Sequence, residues 1–116
     1  FDKSLNDWDV SNVTDMSEMF KGAELYGYAE GNISSWNVSK VTNMKEMFSI
    51  SITFNGNIGS WNVSKVTNMT RMFEDAGMFN RNLSLWKVDM VTECQQFSNN
   101  SGLTESNKPK FTMCTI

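Results

Sequence analysis

The stretch SSWNVSKVTNMKEMF, residues 34–48, returns almost unchanged as GSWNVSKVTNMTRMF, residues 59–73. The two copies keep their apolar letters and vary at polar ones, which is typical of an architectural repeat rather than of an active site. Four tryptophans set the register, with spacings of 28, 25 and 25 residues: Trp8, Trp36, Trp61 and Trp86. A three-residue insertion around GYAE, residues 27–30, accounts for the longer first spacing.

Apolar residues form columns around each tryptophan. Leucine or isoleucine lies three residues before it, and valine lies two and five residues after it. Methionine follows at eight and eleven residues and phenylalanine at twelve, until Cys94, Phe97 and Ser98 replace them in the fourth copy. A further aromatic column contains Phe1, Tyr26, Phe54 and Phe79. Because one copy cannot bury these side chains alone, the copies must stack around a continuous core.

The spacing also predicts local structure. The alternation in WNV, as at residues 36–38, favours a short strand, and the spacing of Met44, Met47 and Phe48 favours one or two turns of helix. Asn43 with Glu46 fits the first turn of that helix as a capping pair, and Thr42 fits the same role. The repeated threonines predict a hydrogen-bonded ladder along the stack.

The pattern L-x-x-W-x-V-S-x-V-T-x-M-x-x-M-F occurs as LNDWDVSNVTDMSEMF, residues 5–20, and as ISSWNVSKVTNMKEMF, residues 33–48. It resembles the BspA-like leucine-rich repeats of surface proteins, and especially a tryptophan-containing subfamily known as a domain of unknown function in Mycoplasma lipoproteins. The resemblance implies an α/β repeat fold, a right-handed leucine-rich-repeat-like solenoid with short parallel strands on one face and short helices opposite. It also implies display at the cell surface or outside the cell, in adhesion, without catalytic residues.

We therefore expect four stacked repeats over residues 1–98 and a capping tail over residues 99–116. The tail is either a cap or a degenerate fifth turn. Nothing precedes Phe1 to cover the first repeat, so we expect upstream repeats or a cap in the parent protein, and self-association through this repeat otherwise. Cys94 and Cys114 are either free thiols or a disulfide that holds the tail.

Composition excludes several classes of function. A net charge of −3 with scattered basic residues argues against nucleic-acid binding. The longest apolar runs are far too short for a membrane span. Without histidine the chain lacks the commonest general base and metal ligand, and we expect neither an enzyme nor a cofactor.

Outward positions near each tryptophan are the candidate binding residues. They form two nearly identical polar rows in adjacent repeats: Asn37, Ser39, Lys40, Asn62, Ser64 and Lys65. Such rows suit a host or matrix protein or a glycan, and plain solvation is the alternative. The predicted function is a non-catalytic binding or adhesion module. A mechanical spacer, or an accessory domain of a glycan-active enzyme, is the alternative.

Other features have a structural and a functional interpretation. The methionines fit core packing better than a soft-metal groove, and the tryptophans fit the core better than sugar platforms. Asp7, Asp9, Asp15 and Asp89 lack the clustered spacing of a calcium loop. Seven N-x-S/T triplets matter only in a eukaryotic secretory pathway: Asn12, Asn32, Asn37, Asn62, Asn68, Asn82 and Asn99.

Overall fold

The computed structural model describes Leu5, residues 8–24 and residues 32–115. Phe1, Asp7, Tyr26 and the GYAE insertion lie outside these residues. Within the described ranges, the only regular elements are two 3₁₀ helices, Asn32–Ser35 and Glu105–Asn107, and three isolated parallel bridges. The bridges join Asp15 to Asn43, Asn43 to Asn68, and Asn68 to Glu93. The predicted α/β fold, a leucine-rich-repeat-like solenoid with strands on one face and helices opposite, is therefore wrong.

The predicted helix is absent because its N–H groups bond to the next repeat. Every second N–H group in residues 16–22 donates to the repeat that follows, at 2.9 Å each: Met16 to Asn43, Glu18 to Lys45, Phe20 to Met47 and Gly22 to Ser49. An α-helix would direct these groups to the carbonyl four residues earlier. Of the intervening N–H groups, those of Met19 and Lys21 close β-turns by bonding to the carbonyl three residues earlier, at 3.2 Å each, and that of Ser17 bonds to Oδ1 of Asp15. The segment is a series of turns that is hydrogen-bonded to the adjacent repeat.

Left-handed backbone conformations prevent these turns from becoming a helix. They recur ten residues after each tryptophan, at Glu18, Glu46, Arg71 and Gln96, with φ between 54° and 58°. They recur again fourteen residues after it, at Gly22, Ile50, Asp75 and Asn100. A right-handed helix cannot pass through a residue with positive φ. Met44, Met47 and Phe48 are nevertheless fully buried, so their spacing indicated burial and not backbone geometry.

The predicted strand, residues 36–38, is an irregular segment between two turns. The N–H of Trp36 donates to the carbonyl of Ile33 at 3.1 Å, and that of Val41 donates to Val38 at 3.0 Å. The inward and outward alternation persists, because Trp36 and Val38 are buried and Asn37 is exposed. Side chains alternate here without a ladder of hydrogen bonds to a neighbouring strand.

Asn43 and Thr42 do not cap a helix. The Oδ1 atom of Asn43 accepts a hydrogen bond from the N–H of Lys45 at 2.9 Å and so closes a turn two residues on. The hydroxyl of Thr42 donates to the carbonyl of Thr14 at 3.2 Å, and Thr67 repeats this bond to Thr42. The threonine ladder predicted from the sequence is present at these two junctions.

The apolar columns form one continuous core. The indoles of Trp36, Trp61 and Trp86 are buried, and each donates from Nε1 to a carbonyl of the preceding repeat at 2.9–3.1 Å. Trp36 and Trp61 stack with ring centroids 6.4 Å apart. These three indoles therefore pack in the core and are not sugar platforms.

Residues 101–115 pack onto the fourth repeat, the one that carries Trp86. The N–H of Leu83 donates to the carbonyl of Asn107 at 2.8 Å, and the ring of Phe111 lies 5.1 Å from that of Phe97. Cys94 and Cys114 form a disulfide with a Cα–Cα distance of 6.2 Å. Phe111 follows Trp86 by 25 residues, so the tail begins like a fifth repeat and then turns back to Cys94.

Candidate functional site

The six candidate residues lie on turns in two adjacent repeats, which we call the polar face: Asn37, Ser39, Lys40, Asn62, Ser64 and Lys65. The asparagines and lysines are exposed and the serines are half-buried. The two rows are neighbours because the indoles beneath them, Trp36 and Trp61, are stacked. The polar face is therefore made of turns, and not of the predicted sheet.

Each asparagine of the polar face fixes its own turn. The Oδ1 atom of Asn37 accepts from the N–H of Ser39, and that of Asn62 accepts from the N–H of Ser64, both at 3.1 Å. These bonds hold the side-chain amides in one orientation. Because Oδ1 is engaged, the amide NH₂ group remains to donate to a ligand.

The two lysines differ in their contacts. The Nζ atom of Lys40 donates to Oδ1 of Asn12 in the first repeat at 3.0 Å. Lys65 is exposed and forms neither an ion pair nor a hydrogen bond with any residue that the structure describes. Lys65 is the more available cation of the pair.

A shallow groove of about 480 Å³ adjoins the polar face between the third and fourth repeats. It is lined by Gly59, Ser60, Trp61, Asn62, Val63, Ser64, Leu85 and Lys87. Two of the six predicted residues, Asn62 and Ser64, lie in it. The sequence-based prediction did not include Leu85, which is 85% exposed, or Lys87. The available signal was that Leu85 stands where the second and third repeats have serine.

The same surface carries a carboxylate in the first repeat. Asp9 occupies the position equivalent to Asn37, and its Oδ1 accepts from the hydroxyl of Ser11 at 2.6 Å and from its N–H at 3.0 Å. The hydroxyl bond and then the backbone bond lower the pKa of Asp9 below its ordinary value. Charge along this surface is therefore mixed, with carboxylates at Asp9 and Asp89 and cations at Lys40, Lys65 and Lys87.

The family of the chain follows from a match over almost its whole length. A family model described as "Mycoplasma protein of unknown function, DUF285" matches residues 1–111. The chain belongs to this family. The Mycoplasma part of the resemblance is confirmed, whereas the match gives no support for kinship with BspA-like leucine-rich repeats. No curated protein and no solved structure matches the chain.

This family member offers hydrogen-bond donors and cations at its surface. In the described residues, no three side chains of the metal-binding types come close enough to hold an ion together. None of the helices in those residues has the length and apolarity that crossing a bilayer requires. The described chemistry of the polar face is hydrogen bonding by Asn and Ser, with charge supplied by Lys.

Proposed function

We propose that the chain is a non-catalytic binding module, displayed at a cell surface or secreted, that holds an anionic polar ligand on the polar face and the adjoining groove. The observation that carries the proposal is the groove beside Asn62 and Ser64, into which Lys87 brings a cation. The location is proposed from the resemblance of the sequence pattern to surface proteins alone.

The arrangement favours a repetitive ligand. Two equivalent sets of Asn, Ser and Lys lie in neighbouring repeats, so one ligand with a repeating acidic unit can contact both. The asparagine amides are held by their own turns, which reduces the entropy lost when they bind. Leu85 adds an apolar surface beside Lys87, which suits the face of a sugar ring. An acidic glycan is the ligand class that uses all of these groups.

The test compares the wild type with two variants in a binding screen. Wild type, Lys65→Glu with Lys87→Glu, and Lys110→Glu are applied to immobilised sulfated, sialylated and neutral glycans and to matrix proteins. Lys110 is an exposed lysine in the tail, outside the groove, and is the matched control.

We expect wild type and Lys110→Glu to bind acidic glycans with an affinity that falls as salt rises. The double variant should lose at least tenfold in affinity, since two attractive charges become repulsive. If the wild type binds none of these ligands, the proposed binding function is wrong and a mechanical spacer is the better interpretation. Equal losses in the double variant and the control would show that the groove is not the site.

A further inference from the structure

The groove beside the polar face has two walls that differ in what supports them. Residues 59–64 of the third repeat form one wall, and Leu85 and Lys87 of the fourth repeat form the other. The third repeat is bonded through tryptophan indoles to the second repeat and to the fourth. The fourth repeat is bonded to the third repeat and to the tail. The position of Leu85 and Lys87 therefore depends on the contacts that the tail makes.

Leu85 is carried by a turn whose first residue is bonded to the tail. The N–H of Trp86 donates to the carbonyl of Leu83 at 3.0 Å, so Ser84 and Leu85 are the central residues of this turn. The N–H of Leu83 donates to the carbonyl of Asn107, in the tail, at 2.8 Å. Loss of the bond to Asn107 would therefore release the residue that closes the turn.

A second set of bonds joins the tail to the segment before the turn. The Oδ1 atom of Asn80 accepts from the N–H of Thr104 at 3.1 Å and from Nδ2 of Asn107 at 2.9 Å. Asn80 is exposed, so its side chain holds the tail without taking part in the core. The tail is thus hydrogen-bonded at residues 80 and 83, immediately before the groove wall.

The disulfide attaches the far end of the tail. Among residues 101–115 only Leu103 and Pro109 are buried, and Phe111 and Cys114 are half-buried. Because the tail buries little apolar surface, its bond to the fully buried Cys94 makes a large part of its attachment. Cys114 also lines a hollow of about 310 Å³, through which a small thiol reaches its sulfur.

We propose that the tail positions the fourth-repeat wall of the groove, so that the affinity for an anionic ligand depends on the disulfide. This inference rests on the proposed function. A dithiol reductant is oxidised to a disulfide and transfers two electrons and two protons, which gives the thiols of Cys94 and Cys114. The tail then keeps its noncovalent contacts alone, and the bond from Leu83 to Asn107 opens more often. Affinity falls with the fraction of chains whose Leu85 and Lys87 are in place.

Amide hydrogen exchange of the ligand-free chain, measured by NMR, tests the positioning. Reduction of the wild type should speed exchange at the N–H groups of Leu83 and Trp86 by about fivefold or more, the lower end of typical coupling between two sites. The N–H of Trp61 closes the equivalent turn of the third repeat and should be unaffected. In a chain that keeps its near-ultraviolet tryptophan signal, equal acceleration at Trp61 or unchanged exchange at Leu83 would each overturn the proposal.

A second variant weakens the tail and keeps the disulfide. Asn80→Ala removes the acceptor of two tail bonds and leaves the core intact, so it replaces the reduced chain in both experiments if reduction unfolds the protein. Ser106→Ala, an exposed change in the same tail, is the matched control. Exchange at Leu83 should be faster in Asn80→Ala and unchanged in Ser106→Ala.

Binding to dextran sulfate, a repeating acidic polysaccharide, tests the consequence for the groove. Reduction of the wild type and Asn80→Ala should each weaken binding by about fivefold or more, and Ser106→Ala should bind like the wild type. The reductant should not change the binding of Cys114→Ser, because that chain has no disulfide to lose. A folded reduced chain and Asn80→Ala that both bind as tightly as the disulfide-bonded wild type would overturn the proposal.

The two measurements separate this inference from the proposed function. If exchange at Leu83 responds to reduction but the chain binds no acidic glycan in either state, the proposed ligand is wrong and the dependence of affinity on the disulfide is wrong with it. If the chain binds dextran sulfate equally in both states and exchange at Leu83 is unchanged, only the role of the tail is wrong.

Discussion

The Nε1 group of Trp61 donates a 3.0 Å hydrogen bond to the carbonyl oxygen of Ile33, in the preceding repeat. Trp36 and Trp86 make the same bond to Leu5 and Ile58. Each of these tryptophans therefore fills the core of its own repeat and also ties that repeat to its neighbour.

Truncation of Trp61 should be severe. Trp61→Ala should lower the free energy of unfolding by about 3–5 kcal/mol, because it leaves a cavity in the core. Trp61→Phe should cost less, since most of the buried area stays and about 1 kcal/mol of hydrogen bonding is lost. Trp8→Ala should also cost less than Trp61→Ala, because Trp8 is half exposed. Urea denaturation measures all three, and an equal loss at positions 8 and 61 would contradict the packing described.

Ile50 should be replaceable with a gain in stability. Its φ of 59° is costly for a β-branched residue, and the equivalent positions hold Gly22, Asp75 and Asn100. Ile50→Asn should raise the free energy of unfolding by about 1 kcal/mol. Ile52→Asn is the control, because Ile52 is similarly exposed and has no positive φ. An equal effect of both changes in thermal denaturation would show that exposure, and not backbone strain, is responsible.

Protonation of Asp15 should lower the free energy of unfolding in acid. The N–H of Ser17 and then its hydroxyl lower the pKa of Asp15 below its ordinary value of 3.8. Its contribution is therefore complete above pH 3.8 and is lost as the pH falls toward the folded pKa. Asp15→Asn, which copies Asn43, should keep the turn and remove this part of the pH dependence. Urea denaturation at several pH values compares the two chains, and an unchanged pH slope would count against the bond.

The bond between Cys94 and Cys114 should be fully formed and should stabilise the fold. Thiol titration of the denatured, unreduced chain should find no free thiol. Cys114→Ser should lower the free energy of unfolding by about 3 kcal/mol in the chain-entropy model, for a closed loop of 20 residues. Thr112→Ser, an exposed change in the same tail, is the control. Two free thiols in the titration would refute the bond.

The sequence predicted the core better than the backbone. Met44, Met47 and Phe48 are buried as their spacing indicated. The helix predicted for them was wrong, because successive turns with a left-handed residue at Glu46 bury side chains at the same spacing. The sequence at Lys45 and Glu46 does not show that the N–H of Glu46 bonds to Thr70 in the next repeat. That bond depends on how the repeats stack.

The polar face was predictable in part for the same reason. Asn37 and Asn62 alternate with buried neighbours, which showed their outward orientation without any knowledge of the backbone. The groove was missed because it depends on a single departure, Leu85, at a column that is serine in the second and third repeats. A repeated pattern shows what the copies share and does not indicate where one copy differs.

The bonds from Met16 to Asn43, from Met44 to Asn68 and from Met69 to Glu93 all run in one direction along the stack. Their peptide dipoles, about 3.5 D each, therefore add as they do along a helix. Within the described residues, the electropositive pole lies at the N–H groups of Gln96 and Ser98, and the electronegative pole lies at the carbonyls of Ser17 and Met19. An acidic side chain is consequently favoured beside residue 98 and disfavoured beside residue 17, by roughly 0.3–1 kcal/mol at low ionic strength.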